Sequence, residues 1–469
     1  MSIVSAGFAT GTTVELCSPF DGSRIGTIET ASAADIEDSL ARAFDAKSAS
    51  AAMPRHERAA ILSGAARSIQ ARREEFANII TRESGKTIRQ ALKETDRCIN
   101  TLTLSAEEAK RIVGEEIPFN AYPGLENRFG YYTKEPLGVI LAITPFNDPL
   151  NLVAHKVGPA IAAGCPCILK PALETPLSAL ALAEALYGAG LPRDHLQIVI
   201  GDAKVGDTLV RDHRIAMISF TGGAHTGEAI TRAAGLKRLA MDLGGNAPVI
   251  VLPDSDLEMA ATECVSGAFW AAGQNCIGVQ RILCHTSVLD VFSDLMVAKT
   301  NSLRLGNPAD LACDVGPMIS ERAAARIEAW VNDAIASGAT CLTGNVRSGS
   351  SYAPTVLADV PEGARVLSEE VFAPVVSIIP FSDLDEAIAQ ANAPEFLLHG
   401  AVFTNDLQLA QKVCAELACA GVMVNDSSDF RFDGMPFGGT KRGAMGREGV
   451  RFAIEEMSQT KVICFKHCT

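Results

Sequence analysis

Residues 137–170 read LGVILAITPFNDPLNLVAHKVGPAIAAGCPCILK, and the alternation inside them sets the architecture. Val139–Thr144 is a short apolar run with β-branched members. Leu152–Ala163 then carries apolar side chains at helical spacing, and Cys167–Lys170 is a second short run. Two strands joined through such a helix run parallel, because a tight turn cannot bring the chain back in the same direction.

The alternation continues downstream. Gln197–Ile200, Ile215–Phe220, Arg238–Asp242 and Val249–Leu252 read as strands, with helices over Pro176–Ala189 and His225–Ala234. A second series has strands near Gln280–His285, Val375–Pro380, Ala401–Phe403 and Val422–Val424. The fold class is α/β, with parallel sheets covered by helices on both faces. Upstream, Ala33–Ala49, Arg55–Arg82 and about Thr87–Val113 read as helices, and Pro54 sits where a helix can begin. Between these regions Ile117–Pro136 holds Phe119, Tyr122, Phe129, Tyr131 and Tyr132. Pro123-Gly124 predicts a turn between two strand-like arms, a hairpin that either packs on its own domain or grips a second subunit.

The chain has 469 residues, 48% of them apolar and 20% charged, and a formal net charge of −14. That balance excludes wholesale disorder, and an acidic surface without a basic run argues against nucleic acid and anionic membrane as partners. No apolar stretch is long enough to span a bilayer: Val139–Ile143 is cut by Pro145, and Leu177–Ala189 carries Glu184. Met1–Thr13 lacks the basic residues and apolar core of a signal peptide. The 13 cysteines are scattered among apolar neighbours, which fits free thiols in a reducing, cytoplasmic setting. Cys165 and Cys167 have no second Cys/His pair at zinc spacing, so no metal is expected.

Several motifs fail. Gly85-Lys86-Thr87 would end a P-loop only if Ile80 were glycine, His56-Glu57 lacks the following His of a zinc protease, and no G-x-G-x-x-G occurs. What remains is Ile215–Phe220, the turn Thr221-Gly222-Gly223, and a helix containing Gly227. Such a strand–turn–helix can present backbone N–H groups to an anion.

Chemistry is carried by Gly273-Gln274-Asn275-Cys276. Leu257–Ala272 reads as a helix ended by Gly273, so Cys276 lies in its exit loop, where a thiol is accessible. Five further segments accompany it: Thr144-Pro145-Phe146-Asn147, Lys170-Pro171, Asp242-Leu243-Gly244-Gly245-Asn246, Glu369–Pro374, and Pro436-Phe437-Gly438-Gly439 with Gly446-Arg447-Glu448. With these in order, the sequence resembles the non-phosphorylating NAD(P)-dependent aldehyde dehydrogenase superfamily over nearly its whole length. It is similar above all to the branch of lactaldehyde, sulfolactaldehyde, phosphonoacetaldehyde and glyceraldehyde-3-phosphate dehydrogenases.

The resemblance implies roles. Cys276 would be the nucleophile, and Asn147 with the Cys276 N–H the oxyanion donors. Asp242 stands where the family usually has Glu, the base that activates water. Aspartate is one methylene shorter, so deacylation to a thiol such as coenzyme A is the alternative, and a catalytically silent nucleotide-binding protein is the third. Lys170 would bind the adenosine ribose, Glu370 the nicotinamide ribose beside Phe372, and Gly222, Gly223 and Gly227 the diphosphate. Thr144, Pro145, Phe146, Pro171, Ala172, Leu173, Glu174, Gly206, Phe220, Thr221 and Leu243 would line the same cofactor site. Leu173 replaces the acid common in NAD-specific members, so NADP is expected to be usable as well as NAD.

The substrate would meet Asp148, Asn151 and His155 on one side, Asn275 and Ile277 beside the nucleophile, and Arg431 on the other. A guanidinium in a tunnel calls for an anionic partner, so the small-molecule aldehyde is expected to be short, polar and anionic. Asn275, where phosphate-using members often have Arg, argues against a phosphate. The bland alternative for Arg431 is a solvated loop residue, and Lys86 and Arg442 read as structural or surface charges. The implied organisation is a dinucleotide-binding domain (1–116 and 137–241), a catalytic domain (242–455) and an oligomerisation arm (117–136 and 456–469). The arm's Lys461–Lys466 strand would leave Val462-Ile463-Cys464-Phe465 as an apolar edge, which predicts a homodimer or homotetramer.

Overall fold

The computed structural model describes residues 11–443 and 445–467. The reading of Met1–Thr13 therefore falls almost wholly outside the described residues, as do the last two residues of the arm. Around Val139–Ile143 the chain builds a five-stranded sheet in the order Leu196–Ile198, Cys167–Lys170, Val139–Ile143, Ile215–Gly222, Arg238–Leu243. Every neighbouring pair is parallel. Helix Asn151–Ala163, which makes the first crossover, is buried along its whole length. It packs beside helix Ile88–Ala109, so its sequence has no polar face to show.

A seven-stranded sheet follows, in the order Thr340–Thr343, Thr355–Ala358, Val375–Phe381, Val279–His285, Ala247–Val251, His399–Phe403, Gly421–Val424. All its pairs are parallel except the first, which is antiparallel. Only three residues separate Leu243 at the end of the first sheet from Ala247 at the start of the second. Each sheet sits on its own principal apolar cluster. Helix Val450–Glu456 crosses that division: Val450 and Ile454 pack into the first cluster, although the sequence assigned residues up to 455 to the second unit.

Four local expectations change. Arg55–Arg82 is two helices, Arg55–Ala71 and Arg73–Ser84, broken where Arg72 leaves helical dihedrals. Ala33–Ala49 is likewise Ala33–Asp45 followed by Lys47–Ala52. Strands Thr13–Cys17 and Arg24–Glu29 form an unforeseen antiparallel pair. The expected hairpin survives on one side only. Its first arm, from Ile117 to the Pro123-Gly124 turn, forms no strand, because Pro118 and Pro123 lack the N–H groups a ladder needs; only Glu115–Glu116, just before it, pairs with Tyr131 and Tyr132. Its second, Arg128–Pro136, pairs instead with Ser458–Lys466 in register from Lys466↔Arg128 to Ser458↔Pro136. Ser458–Lys466 is the edge strand of that small sheet, with Val462 and Phe465 exposed. Among the described residues, no helix is long and apolar enough to cross a membrane.

Candidate active site

Helix Leu257–Phe269 ends four residues earlier than Gly273 because the chain turns left-handed, with φ of +51° at Ala271, +54° at Ala272 and +68° at Gly273. Side chains hold this costly turn. Gln274 donates to Ala271 O at 3.0 Å and accepts from Ile319 N at 2.9 Å. Asn275 Oδ1 accepts from Ile277 N at 3.3 Å, and Asn275 O from Gly278 N at 3.0 Å. Cys276 stands at the top of this turn, half-buried against Ile277, Leu398 and Phe437. Burial first, then the carboxylates of Asp242 and Glu370, push its thiol pKa well up. Ile277 and Asn275 thus serve the turn itself.

Asp242 pairs with Thr221 across the last two strands of the first sheet. It is 3% exposed, and neither carboxylate oxygen has a hydrogen-bond partner among the described residues. Burial, reinforced by Glu448, pushes its pKa up to about 8. Glu448 receives the opposite treatment. It accepts from Lys156 Nζ at 2.6 Å, Thr221 Oγ1 at 3.0 Å and Arg431 Nη2 at 3.1 Å. Although burial raises its pKa, the cations Lys156 and Arg431 hold it below the usual carboxylate range. Lys156 also donates to Ser219 at 3.2 Å.

Arg431 is not a solvated loop residue. Its side chain is 6% exposed, its guanidinium carbon lies 3.7 Å from the Phe437 ring centroid, and its Nε has no partner. Its electrostatic reach covers Cys276, Asp242, Asp148 and His155. Asn147, just past the end of strand Val139–Ile143, is half-buried, and among the described residues its carboxamide has no hydrogen-bond partner.

Asn151 and His155 lie elsewhere than in an open tunnel. Asn151 is buried, accepting from Thr101 at 2.9 Å and donating to Asp433 at 3.2 Å. His155 Nε2 lies 3.0 Å from Asp433, while burial lowers its pKa and its Nδ1 is unpartnered. Asp433 also takes Arg97 Nη2 at 2.9 Å and Asn100 at 3.3 Å. Asp148 pairs with Lys86 and, at 3.4 Å, with Arg97. Lys86 is therefore buried rather than a surface charge, and it also meets Glu94 at 2.7 Å. Glu94 accepts from Leu150 N at 2.8 Å and Asn151 N at 3.1 Å, capping the helix that follows Asn147. Arg442 is a surface charge, paired with Glu228 and Glu395.

The opposite side has the makings of a dinucleotide cradle. Gly223 begins helix Ala224–Ala234 without a side-chain cap, leaving the first N–H groups free for an anion. Phe220 and Thr221 lead into that turn from a buried strand, past the half-buried Gly222. Gly227 lies so close to Leu243 that a Cβ would overlap its side chain. Lys170 ends its strand mostly buried, with its pKa lowered by desolvation; Gly206 leaves room beside its stem. Pro171 is buried and Ala172 half-buried beyond it, while Glu174 is exposed. Leu173 packs beside Leu16, Ile28 and Ile200 and offers no hydrogen bond. Thr144 is buried with its hydroxyl unpartnered, ahead of the half-buried Pro145. Phe146 meets Phe372 edge to face at 5.8 Å, joining the two halves. Glu370 accepts from Gly245 N at 3.3 Å, and a Cβ at Gly244 would overlap its carboxylate. Burial pushes its pKa up to about 7. A free helix N-terminus, a lysine without an acid partner and a carboxylate with spare acceptors fit a dinucleotide's diphosphate and ribose hydroxyls.

The sequence reading attached no role to Lys156, Arg97, Glu94 or Asp433, and none to Glu448 within its motif. A charged residue inside a wholly buried, mostly apolar helix was the available signal for Lys156; the others were set apart by folding alone.

Residues 8–463 match the profile described as the aldehyde dehydrogenase family. Aspartate-semialdehyde dehydrogenase 1 of Pseudomonas canavaninivorans is 54% identical over 451 residues, covering 96% of each chain. Aldehyde dehydrogenase 21 from Physcomitrella patens, solved with its reaction product succinate, superposes with TM-score 0.94 at 39% identity, covering 98% of this chain and 96% of that one. Glyceraldehyde-3-phosphate dehydrogenase from Methanocaldococcus jannaschii, complexed with NADP, gives TM-score 0.93 at 39% identity, covering 97% and 99%.

Proposed function

The chain belongs to the aldehyde dehydrogenase family, and from that premise we propose that it oxidises a small anionic aldehyde to the carboxylic acid through Cys276, with NADP or NAD as cofactor. The observation that carries this is the pairing of a half-buried thiol with a carboxylate denied every partner. Asp242 is among the groups that act on the Cys276 thiol, and its pKa of about 8 lets it take a proton near neutrality.

Asp242 receives the thiol proton, and Cys276 Sγ attacks the aldehyde carbonyl to give a thiohemiacetal. The Asn147 amide and the Cys276 N–H donate to its oxyanion; one such donor typically contributes about 10²–10³ in rate. The bound nicotinamide would supply the hydride acceptor. Lys170, Glu370 and the turn around Gly222 and Gly223 would hold that cofactor, with Gly227 giving the turn room. Once it has passed that proton to solvent, Asp242 takes a proton from water, whose hydroxide releases the acid from the resulting thioester; Cys276 leaves as the thiolate and recovers a proton from Asp242. Free acid is therefore expected without coenzyme A, and a strict need for it would overturn this step.

Arg431 is the residue that would meet the substrate anion. Glu448 takes one of its nitrogens, but Lys156 also compensates Glu448, so the pair of cations exceeds that one acid. The names of two similar proteins point the same way: one acts on aspartate semialdehyde, and another was solved with succinate. The test is cofactor reduction by wild type and Arg431→Ala with a carboxylate-bearing aldehyde and a neutral one of equal length. KM for the anionic aldehyde should rise about 10–100-fold, the worth of a charged hydrogen bond, and the neutral one should be spared. Equal effects on both would remove the anchor. The arm supports a second proposal. Val462 and Phe465 on the free edge of Ser458–Lys466 favour pairing with another copy, giving a homodimer or homotetramer, and a monomer by light scattering would refute it.

A further inference from the structure

The strand that follows the nucleophile also controls the segment on the far side of the cleft. Gln280 is the second residue of strand Val279–His285, four positions after Cys276, and is 6% exposed. Its side-chain Nε2 donates to Glu369 O at 2.7 Å, and its Oε1 accepts from Val371 N at 3.0 Å. One amide therefore brackets Glu370 from both sides, as a neighbouring strand would.

Other side chains touch this segment but do not duplicate that grip. Asn246 Nδ2 donates to Leu367 O at 2.7 Å and to Glu369 O at 3.4 Å, and Arg326 donates to Val371 O at 2.7 Å. Both are donors to carbonyls. Among the described residues, only the Gln280 oxygen accepts from the Val371 N–H. The Glu370 carboxylate itself has a single long contact, the 3.3 Å bond from Gly245 N, so its location depends on its backbone. Phe372 follows at φ +45°, a conformation that persists only when its surroundings impose it.

We infer that Gln280 is a positioning residue, which fixes Glu370 for the cofactor and ties it to the strand that follows Cys276. This rests on the reading of Glu370 as a cofactor-binding group. Gln280→Met keeps the length and removes both bonds. NADPH binding, followed by its fluorescence on the variant without aldehyde, should weaken about tenfold, the size of one lost buried hydrogen bond. Cofactor KM should rise with it, while aldehyde KM and the rate of Cys276 alkylation by iodoacetamide without cofactor stay at wild-type values. Gln280→Glu supplies the second readout. A protonated Glu can still donate to Glu369 O and accept from Val371 N, and an ionised one repels that carbonyl. Its NADPH affinity relative to wild type should therefore fall as pH rises.

Glu370→Gln is the control. If it weakens NADPH binding and Gln280→Met does not, the inference is wrong, whatever Gln280→Met does to thermal stability. If Glu370→Gln leaves binding unchanged, the assignment of Glu370 fails and this inference falls with it. Should Gln280→Met not fold, the pH series decides: a constant ratio of Gln280→Glu to wild type overturns the proposal.

Discussion

Asp433 and Glu448 are buried, Asp148 is partly buried, and all three are compensated: Lys86, Arg97, Lys156 or Arg431 reaches every one of them. Asp242, buried too, has no hydrogen-bond partner on either oxygen among the described residues. The two regions teach different lessons about buried charge. A compensated carboxylate stays ionised and ties elements together, and removing one partner strands the other. An uncompensated one is pushed toward neutrality, which makes it a proton carrier near neutral pH. The compensated set joins helices Ile88–Ala109 and Asn151–Ala163 to the loop bearing Arg431, whereas Asp242 acts electrostatically on Cys276.

The largest effect should come from the group both regions frame. Cys276→Ala should abolish acid production while leaving cofactor binding intact; residual turnover at the wild-type rate would end the proposed chemistry. Next, Asp242→Asn should lower kcat by about 10²–10⁴-fold, the usual contribution of a general base. It should also make the protein more stable at pH 8. The folded pKa of about 8 lies above the ordinary aspartate value of 3.8, so the native state keeps a proton that the unfolded chain sheds. Stability from this group is full below pH 3.8 and drains away as pH rises to about 8. Asparagine removes that slope, and a thermal-melt series across the interval measures it.

The compensated region should respond oppositely. Asp433→Ala leaves Arg97 short of a partner and the Arg431 loop untied. Breaking a buried pair this way typically costs about 3–5 kcal/mol, readable in urea unfolding. A loss below about 1 kcal/mol would mean that the contacts carry no more than a surface pair does. The smallest effect concerns acid. Although burial raises it, the His155 and Arg97 partners hold the Asp433 pKa below the ordinary aspartate value of 3.8, so its share of stability is present above that pH and lost as pH falls below it. Asp433→Asn should blunt acid unfolding, and an unchanged acid limb would erase the contrast with Asp242.

Much was legible in the sequence because it is local. Short β-branched runs separated by apolar-periodic helices specify parallel strands wherever they fall; all five strands of the first sheet and five of the seven in the second emerged within a few residues of their expected ends, while Thr340–Thr343 and Thr355–Ala358 were unforeseen. Cys276, Asn147, Asp242 and Glu370 stood out because each sits in a motif at a strand end or helix exit, where backbone geometry alone presents a side chain. Other features needed the folded chain. The partner of Arg128–Pro136 lies more than three hundred residues away, and no period in the sequence says which of two strands will claim it. Whether a charge is compensated is likewise a matter of distance in space. Glu448 and Asp242 are both acids in glycine-flanked motifs, but Lys156 and Arg431 hydrogen-bond only to the first. Local pattern determines which elements form and what they can present; tertiary packing alone decided which buried charges were neutralised, because electrostatic compensation acts over a few ångströms between groups that may be hundreds of residues apart in the chain.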